Sequence, residues 1–337
     1  MRAAFCLAKG VLPERTSKFS RRDFTLPQLF ACLVVREHQR KSYRGVEALL
    51  RDAEHWCRDI GMKKVPDHNT LCRAFHALNL GRRAHKLLDV LAQWFGVARQ
   101  LGHTVAIDSS LYDTHYRSRH YEQRCRHFAS HAKNTANRRR SRSAKRTPKV
   151  IHAADTQSHV ILSARARIGM GADYLHFEPA LLDAWRRSPR RLHTVLADAG
   201  FGSEANHCIA RLDMGIRSVM KCDGGRPTNK PPQGHFRRLM SRQLAGSQKG
   251  RPYGQRAQIE TVESMMKRNL GDALRSRSDR GRRHELLLRS ITHNLMLFRR
   301  QSRGSRQSHS EPVSLGRGRR CSGGGKARSH ARSIARR

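Results

Sequence analysis

Two short apolar runs, each ending in an aspartate, constrain the fold of this chain most strongly. The first run, residues 105–107, leads into Asp108, and the second, residues 195–197, leads into Asp198. Runs of this length are typical of buried strands. In open α/β sheets, ligands bind at the carboxyl ends of the strands. The sequence therefore predicts two buried strands, each with a carboxylate at the edge where ligands bind.

Two carboxylates at such an edge have an electrostatic consequence. Side by side they repel each other, which raises their pKa values unless a cation lies between them. A hard divalent ion with oxygen ligands offsets this repulsion. A single aspartate at a strand end is more often a turn or cap residue, so a metal site is indicated only together with further residues.

Strand and helix patterns alternate from residue 103 to residue 300, apart from a polar stretch at 223–250. Besides the two strands above, the predicted elements are a hairpin at 149–169 with its turn at 156–158, helices at 173–188 and 203–215, a strand at 216–222 and a helical pair near 255–300. The order of strand, hairpin, helix, strand, helix, strand and helix predicts an α/β domain with a mixed sheet.

The preceding region, residues 24–102, has helical periodicity instead. Its four apolar segments lie at 24–39, 44–61, 69–78 and 87–95. Gly61 ends the second segment, and Asn69 or Thr70 suits the N-cap of the third. A small helical domain on a basic protein is a candidate DNA-binding domain. The alternative, that these helices only pack against the neighbouring domain, predicts the same pattern.

The net charge of the chain indicates a polyanionic partner. The 337 residues include 68 Lys+Arg and 26 Asp+Glu, a formal net charge of +42. A chain with this charge repels itself unless polyanions or counterions offset it. Each nucleic-acid phosphate that Lys or Arg neutralises releases condensed counterions. Nucleic acid is favoured over an anionic membrane surface because the basic residues are spread over the whole chain.

Two segments combine basic charge with few apolar residues. Residues 124–149 contain ten Lys/Arg and no acid, and residues 301–337 contain ten Lys/Arg and one acid, Glu311. Such segments bury too little surface to offset the entropy of ordering. We expect a disordered basic arm and tail, which either are simply solvated or bind phosphates nonspecifically. Residues 1–23 form a separate N-terminal segment.

The cysteines and the apolar segments bear on the cellular compartment. Eight scattered cysteines without a Cys-x-x-Cys pair indicate reduced thiols in a cytosolic protein. Cys125, His127 and His131 could form part of a zinc site, but they lack a paired ligand motif. No uncharged apolar stretch approaches the roughly 20 residues of a membrane span, and Lys9 interrupts the opening segment too early for a secretory signal. We expect a cytoplasmic protein.

A polar stripe is predicted on one helix near the end of the α/β region. Its members, at separations of three, four and seven residues, are Tyr253, Arg256, Glu260 and Lys267. On an α-helix these separations place all four on one face. The opposite side carries apolar residues that can pack on a sheet, namely Ile259, Val262, Met265 and Met266. Alone, such a stripe is usually just the solvated side of a helix.

The stripe and the two aspartates together resemble bacterial insertion-sequence DDE transposases. The pattern Tyr-x2-Arg-x3-Glu-x6-Lys is complete, and the aspartates precede it in IDSS and LADAGF. The resemblance runs from residue 24 to residue 298. It includes VPDHNTLCRAF at 65–75, which is similar to a segment that precedes the catalytic domain in many such enzymes. It implies a ribonuclease-H-like catalytic domain over 103–300, in which two parallel strands carry the aspartates.

The resemblance also implies roles for the site residues. The implied catalytic and metal-binding residues are Asp108, Asp198 and Glu260, and the implied DNA-binding residues are Tyr253, Arg256 and Lys267. Three carboxylates can hold two Mg²⁺ ions, or Mn²⁺ in their place, about 3.5–4 Å apart for phosphodiester displacement. The remaining acids are weaker candidates. Asp113 follows its strand by several residues, Asp155 belongs to the hairpin, and Glu263 is expected to pair with Lys267.

The implied function is cleavage of a transposon's inverted ends and strand transfer into target DNA. The implied partners are double-stranded DNA, comprising the terminal inverted repeats and the target, and a second copy in a homodimer, in the bacterial cytoplasm at the nucleoid. One alternative is an inactive or domesticated DNA-binding protein, which binds without needing the three acids. Another is a host nuclease or RNA-processing enzyme, which cuts without preference for inverted ends and joins no strands.

Overall fold

The described part of the chain covers most of the two predicted regions. A computed structural model describes residues 1–15, 19, 22–97, 101–116, 147–188, 192–222, 232–245 and 253–307, the last seven of these by their backbone alone. Residues 1–300 form one compact unit, and of the second unit, 301–337, only the end of a helix is described. Most of the basic arm at 124–149, most of the tail and parts of the stretch at 223–250 lie outside the described residues.

Six helices precede the first strand in the described part of the chain. They are α1 (Arg2–Lys9), α2 (Leu26–His38), α3 (Tyr43–Asp52), α4 (Glu54–Arg58), α5 (His68–Ala77) and α6 (Leu80–Val97). Helix α2 begins with a capping box between Thr25 and Gln28. The N-cap predicted for α5 is wrong. Asp67 takes this position, because its carboxylate accepts hydrogen bonds from the backbone N–H and the hydroxyl of Thr70.

A five-stranded mixed sheet forms the centre of the second region. Its strands are β1 (Thr104–Leu111), β3 (Pro148–Asp155), β4 (Ile161–Ile168), β5 (Thr194–Ala197) and β6 (Arg217–Met220), and a separate parallel pair joins β2 (Asp113–Thr114) to β7 (Ala273–Leu274). The order across the sheet is β4-β3-β1-β5-β6. Strands β4, β3 and β1 are antiparallel, whereas β1, β5 and β6 are parallel. This is the ribonuclease-H-like mixed sheet that the resemblance implies.

Helices cover both faces of this sheet. The helices are α7 (Phe177–Arg187), α8 (Glu204–Cys208), α9 (His235–Ala245), α10 (Ala257–Leu270) and α11 (Asp279–Gln307). Ser203 caps α8 as its sequence predicts, and the chain then continues as a π-helical turn, Ile209–Asp213. Helix α9 lies within the stretch that was expected to be merely polar. Its amino end is held by Glu204, which accepts hydrogen bonds from the backbone N–H groups of Phe236 and Arg237.

The two faces of the sheet belong to different apolar clusters, because successive side chains of a strand point to opposite sides. Ala106 and Leu196 pack with α2, α10 and α11 on one face, whereas Val105, Ile107 and Val195 pack with α7 on the other. The first cluster also includes residues of α1 to α6, so the N-terminal helices share a core with the sheet. Among the described helices, none has both the length and the apolar character needed to cross a membrane.

A buried ionic network joins α2 to α11. Arg289 is 2% exposed and donates to Glu285 and to the backbone oxygens of Gly271 and Ala273, at 2.7–2.8 Å. Its guanidinium also lies 3.5 Å from Glu37, a buried residue of α2. Buried charges are tolerated when they are paired and hydrogen-bonded in this way. The network therefore fixes α2 against the helix that covers β3 and β4.

Substitution of a fully buried strand residue tests this packing. Leu196→Ala removes a side chain that is 0% exposed in the middle of β5, and we expect the free energy of unfolding to fall by about 2–5 kcal/mol. Leu212→Ala is the matched control, because Leu212 is 68% exposed. Urea denaturation followed by circular dichroism measures both. Equal losses in the two variants would contradict the buried position of β5.

Candidate active site

The register of β1 and β5 places Asp108 beside Asp198. The last paired residues of these parallel strands are Ile107 and Ala197, and the two aspartates follow directly. Neighbouring strands lie about 4.7–4.9 Å apart. Strand β5 ends before Asp198 as predicted, but β1 continues to Leu111. The reason is β3, which remains paired with β1 beyond Asp108.

The environment of Asp108 disfavours its charged form. Its side chain is 22% exposed, and burial raises its pKa to about 6. A hydrogen bond from the backbone N–H of Ser109, at 2.7 Å, and the nearby guanidinium of Arg256 lower this pKa, whereas the charge of Asp198 raises it. The neighbours of Asp108 therefore compensate its negative charge only in part, which favours the binding of a further cation.

Arg256 bridges Asp108 and Glu260. One guanidinium nitrogen lies 3.4 Å from Oδ2 of Asp108, and another donates to Oε1 of Glu260 at 2.6 Å. Burial opposes the charge of Arg256, but Tyr253, Glu260 and the two aspartates outweigh it and raise the pKa of the guanidinium. A permanent positive charge thus lies between Asp108 and Glu260, two of the three acids that the resemblance implies as metal ligands.

The four residues of the Tyr-x2-Arg-x3-Glu-x6-Lys pattern do not share one α-helix, contrary to the prediction, but occupy two kinds of helix. Tyr253–Arg256 is a 3-10 turn, whereas Glu260 and Lys267 lie on α10. The Glu260 side chain is 58% exposed. Lys267 extends over the ring of Tyr112, with 5.2 Å from Nζ to the ring centroid. The structure thus brings Asp108, Asp198, Arg256 and Glu260 together with Tyr253 beside them, and it places Lys267 further along α10.

Three of the four residues predicted for the apolar side of α10 pack together on the sheet, and the fourth, Met265, does not. Ile259, Val262 and Met266 are buried in the cluster on the face of Ala106 and Leu196, and Met265 packs against the other cluster. Because residues 106 and 108 of a strand point to the same face, Asp108 lies on the side of the sheet that α10 covers.

The chemistry of the donor set suits a hard cation. Carboxylate oxygens are the ligands that Mg²⁺ and Mn²⁺ prefer. The raised pKa of Asp108 shows that its charged form lacks compensation, which a bound cation would supply. Within the described residues, however, no group of three or more His, Cys, Asp or Glu side chains is arranged as a metal site. The guanidinium of Arg256 takes the cationic position between Asp108 and Glu260 instead. The cluster of Cys125, His127 and His131 lies outside the described residues.

Glu263 is the acid that sequence reasoning misplaced. It is buried and pairs with Nδ1 of His152 on β3, so the expected pairing with Lys267 is not its main contact. Burial disfavours the Glu263 carboxylate, but the charge and hydrogen bond of His152 hold its pKa below the usual value, with a smaller contribution from Lys267. Nε2 of His152 lies 2.8 Å from the hydroxyl of Ser290 on α11. His152 therefore ties both covering helices to the sheet.

His152 has a direct relation to the site, because it is the partner of Asp108 in the β1–β3 ladder. The only signal in the sequence was a histidine within an otherwise apolar run, and the structure shows that its side chain is 0% exposed. The other acid of the hairpin, Asp155, is a structural residue. It is buried and accepts hydrogen bonds from the backbone N–H groups of Gly102 and Ser158.

A further carboxylate, missed by sequence reasoning, borders the site. Asp173 accepts a hydrogen bond at 2.9 Å from the hydroxyl of Ser109, the neighbour of Asp108. It also pairs with Lys149, which donates to the backbone oxygen of Gly171 as well. These contacts hold the segment after β4 against the end of β1.

Comparison with known proteins identifies the family. The model of the transposase DDE domain family matches residues 100–295, which span the sheet, both aspartates and α10. The chain belongs to this family. No curated protein sequence matches it.

Solved structures give weaker similarities. A synaptic complex of the piggyBac transposase with hairpin DNA has 10% identity and a TM-score of 0.42, covering 87% of this chain and 69% of that one. The catalytic domain of the Mos1 mariner transposase has 10% identity and a TM-score of 0.24, covering 64% of this chain and 89% of that one. The family assignment rests on the family model.

The pKa of Asp108 predicts a pH-dependent gain in stability when its charge is removed. The folded pKa, about 6, lies above the ordinary value of 3.8, so the stabilisation from the protonated form is complete below pH 3.8 and is lost as the pH rises through 6. Asp108→Asn should match the wild type below pH 3.8 and exceed its free energy of unfolding by up to about 3 kcal/mol above pH 7.

Metal-free urea denaturation between pH 3 and pH 8 measures this difference. Asp213→Asn is the control, because it removes one exposed carboxylate in the same way. A difference between Asp108→Asn and the wild type that stays constant with pH would contradict the raised pKa.

Proposed function

We propose that this chain is a DNA transposase that uses divalent metal ions to cut the inverted ends of its element and to join them to target DNA. The observation that carries the proposal is the strand register that sets Asp108 beside Asp198, on the face of the sheet covered by the helix that carries Glu260. Membership of the transposase DDE domain family supports it.

In this proposal, Asp108, Asp198 and Glu260 hold Mg²⁺ or Mn²⁺. When bound, the ions would activate the attacking water or 3′-hydroxyl and stabilise the leaving oxygen. The carboxylate of Asp108 lies where its charge is poorly solvated, so it gains more from a bound cation than a solvated carboxylate does. Glu260, with its exposed side chain, is the acid that is free to change partner.

Arg256 has a second role in the proposal. Its guanidinium pairs with acidic neighbours, and if these acids held metal, the guanidinium would be available to a DNA phosphate. Guanidinium groups bind phosphate oxygens in a bidentate manner and stabilise charge at a reacting phosphoryl group. Tyr253 lies within 5.8–6.0 Å of the charged groups of Lys221 and Arg256. In this proposal, Lys221, Tyr253, Arg256 and Lys267 contact the DNA backbone beside the three acids.

The domain assignment and the partners follow from the same proposal. Residues 103–300 would be the catalytic domain and residues 24–102 a helical DNA-binding domain. Double-stranded DNA, comprising the element's inverted repeats and the target, would be the substrate, and a homodimer would bridge two ends at the bacterial nucleoid. The net charge of +42 suits such a partner. The noncatalytic DNA-binding protein remains the second candidate, favoured by Arg256 occupying the cationic position between Asp108 and Glu260.

Cleavage of the element's own ends tests the proposal. Purified protein is incubated with duplex DNA that carries the sequences flanking its gene, with Mg²⁺ or Mn²⁺, beside Glu260→Gln. We expect metal-dependent nicking at the inverted ends and its loss by at least about 100-fold in the variant, because the substitution removes one metal ligand and the charge it supplies. Binding of the DNA should persist.

Glu178→Gln is the matched control, because Glu178 is an exposed residue of α7, and it should cut at the wild-type rate. If the wild type and Glu260→Gln bind DNA equally and neither cuts, the chain is a noncatalytic DNA-binding protein. Cutting without preference for the inverted ends would instead indicate a nuclease.

A further inference from the structure

A basic groove lies along the edge strand β4, apart from the candidate active site. It encloses about 370 Å³ between β4, the turn from α5 to α6 and the first turns of α11. Four arginines line it, namely Arg165, Arg167, Arg280 and Arg283. Among the described residues that line the groove there is no carboxylate, so its charge is strongly positive.

Most of the positive charge in the groove is not paired with acidic side chains of the protein. Arg165 pairs with Asp183 at 2.8 Å, whereas Arg167, Arg280 and Arg283 are exposed and form no ion pair with any described residue. Arg280 and Arg283 lie in the first turns of α11, where the amino end of the helix adds partial positive charge. The acid at this amino end, Asp279, pairs with Arg282 at 3.2 Å. Three arginines that pair with no described acid favour a polyanion.

Two buried nitrogens in the groove lining also lack partners. Nε of Arg165 and Nδ1 of His284 make no hydrogen bond to any described atom, and His284 is 3% exposed. Buried polar groups in proteins are usually paired, so these two nitrogens are unsatisfied within the described residues.

The arginines act on the histidines of the groove. Burial and the neighbouring Arg280 lower the pKa of His284, and burial and the neighbouring Arg167 lower the pKa of His176. Burial is the larger cause for both histidines, and the arginine charges that add to it would also attract phosphate groups.

The segment between β4 and α7 connects this groove to the candidate active site. It begins after Arg167, passes Asp173, which bonds Ser109 beside Asp108, and continues to His176, which lines the groove. In the ladders from β1 to β3 and from β3 to β4, Leu111 is paired with Lys149 and Lys149 with Arg167. Arg167 therefore lies near the carboxyl end of the strands, three residues beyond Ala164, which is level with Asp108 through His152, and its side chain is on the opposite face of the sheet from Asp108.

We infer that this groove binds the phosphate backbone of the duplex whose reacting phosphodiester lies at Asp108 and Asp198. Arg167, Arg280 and Arg283 would contact phosphates of this duplex at a distance from the cleaved position, because β4 is two strands away from β1. The groove would thus contribute affinity and orientation without reading bases, as phosphate contacts do. The inference rests on the proposed function only for the identity of the reacting end.

A charge-matched comparison tests the groove. The groove variant combines Arg167→Ala, Arg280→Ala and Arg283→Ala. The control variant combines Arg186→Ala, Arg217→Ala and Arg299→Ala, which removes the same charge from exposed positions outside the groove and outside residues 24–102. Arg217 begins β6, and Arg186 lies near the end of α7 just before β5. The first two control positions therefore lie near the amino ends of the parallel strands, whereas the aspartates follow their carboxyl ends.

Binding of a fluorescent duplex of about 30 base pairs is measured by anisotropy without divalent metal, from about 50 to 200 mM salt. We expect the groove variant to lose at least about 10-fold in affinity, and the slope of log K against log salt to fall by about one for each lost contact. The control variant should stay close to the wild type. Equal losses in the two variants would overturn the inference, because general charge alone would then explain them.

The outcome is separable from that of the proposed function. Binding is read without metal, so a failure to cut DNA leaves the groove result intact. Conversely, end-specific cutting that depends on Glu260, with a groove variant that binds and cuts like the wild type, would uphold the transposase and overturn the groove. Thermal melting of all three proteins confirms that the substitutions of exposed arginines leave the fold intact.

Discussion

The parallel pairing of β1 with β5 is the interaction on which the candidate site depends. Leu196 fills the cluster on one face of the sheet, while Val195 fills the other. A slip of one residue would exchange these faces and turn Asp198 away from Asp108. The close packing of both faces therefore fixes the register, and the register in turn brings two like charges together. The position of the acids is thus a consequence of apolar packing.

The central strand also positions the helix that carries the third acid. On its other side, β1 pairs with β3, and the partner of Asp108 is His152. The contact of His152 with Glu263 sets α10 on the sheet, and Glu260 lies one turn earlier on the same helix. A buried ion pair of this kind is weak support for stability but can specify one arrangement among several. His152 thus lies beside Asp108 in the sheet and holds the helix that carries Glu260.

The sequence predicts the parts of this fold that depend on local pattern. Apolar runs predict strand β5 and the β3–β4 hairpin, and the helical spacing of apolar residues predicts the buried side of α10. The residues after Ser203 identify it as a helix cap. The parallel pairing of the two strands that carry the aspartates was reached only through the family resemblance, and the full strand order was not predicted. The catalytic roles of Asp108, Asp198 and Glu260, and the DNA-binding roles of Tyr253, Arg256 and Lys267, remain predictions.

Contacts between distant residues could not be predicted in the same way. His152 and Glu263 are 111 positions apart, and only the folded sheet shows that they meet, so the nearer Lys267 was the natural but wrong choice of partner. Helix α9 was missed because its amino end is held by Glu204, an acid on another helix. Asp173, at the start of the helix predicted for 173–188, contacts Ser109, which is 64 positions earlier. In each case the determining partner lies far away in sequence.

The most direct test of the account is the position of metal in the folded protein. The wild type and Glu260→Gln, the latter for the uncut state, are each crystallised with Mn²⁺ and a duplex of the element's end. Anomalous diffraction at the manganese edge then locates the metal. The account predicts a manganese peak in contact with Asp108 and Asp198 in the wild type, with Glu260 released from Arg256 and turned toward it. A wild-type crystal with no peak at the two aspartates and Arg256 still bound to Glu260 would contradict it.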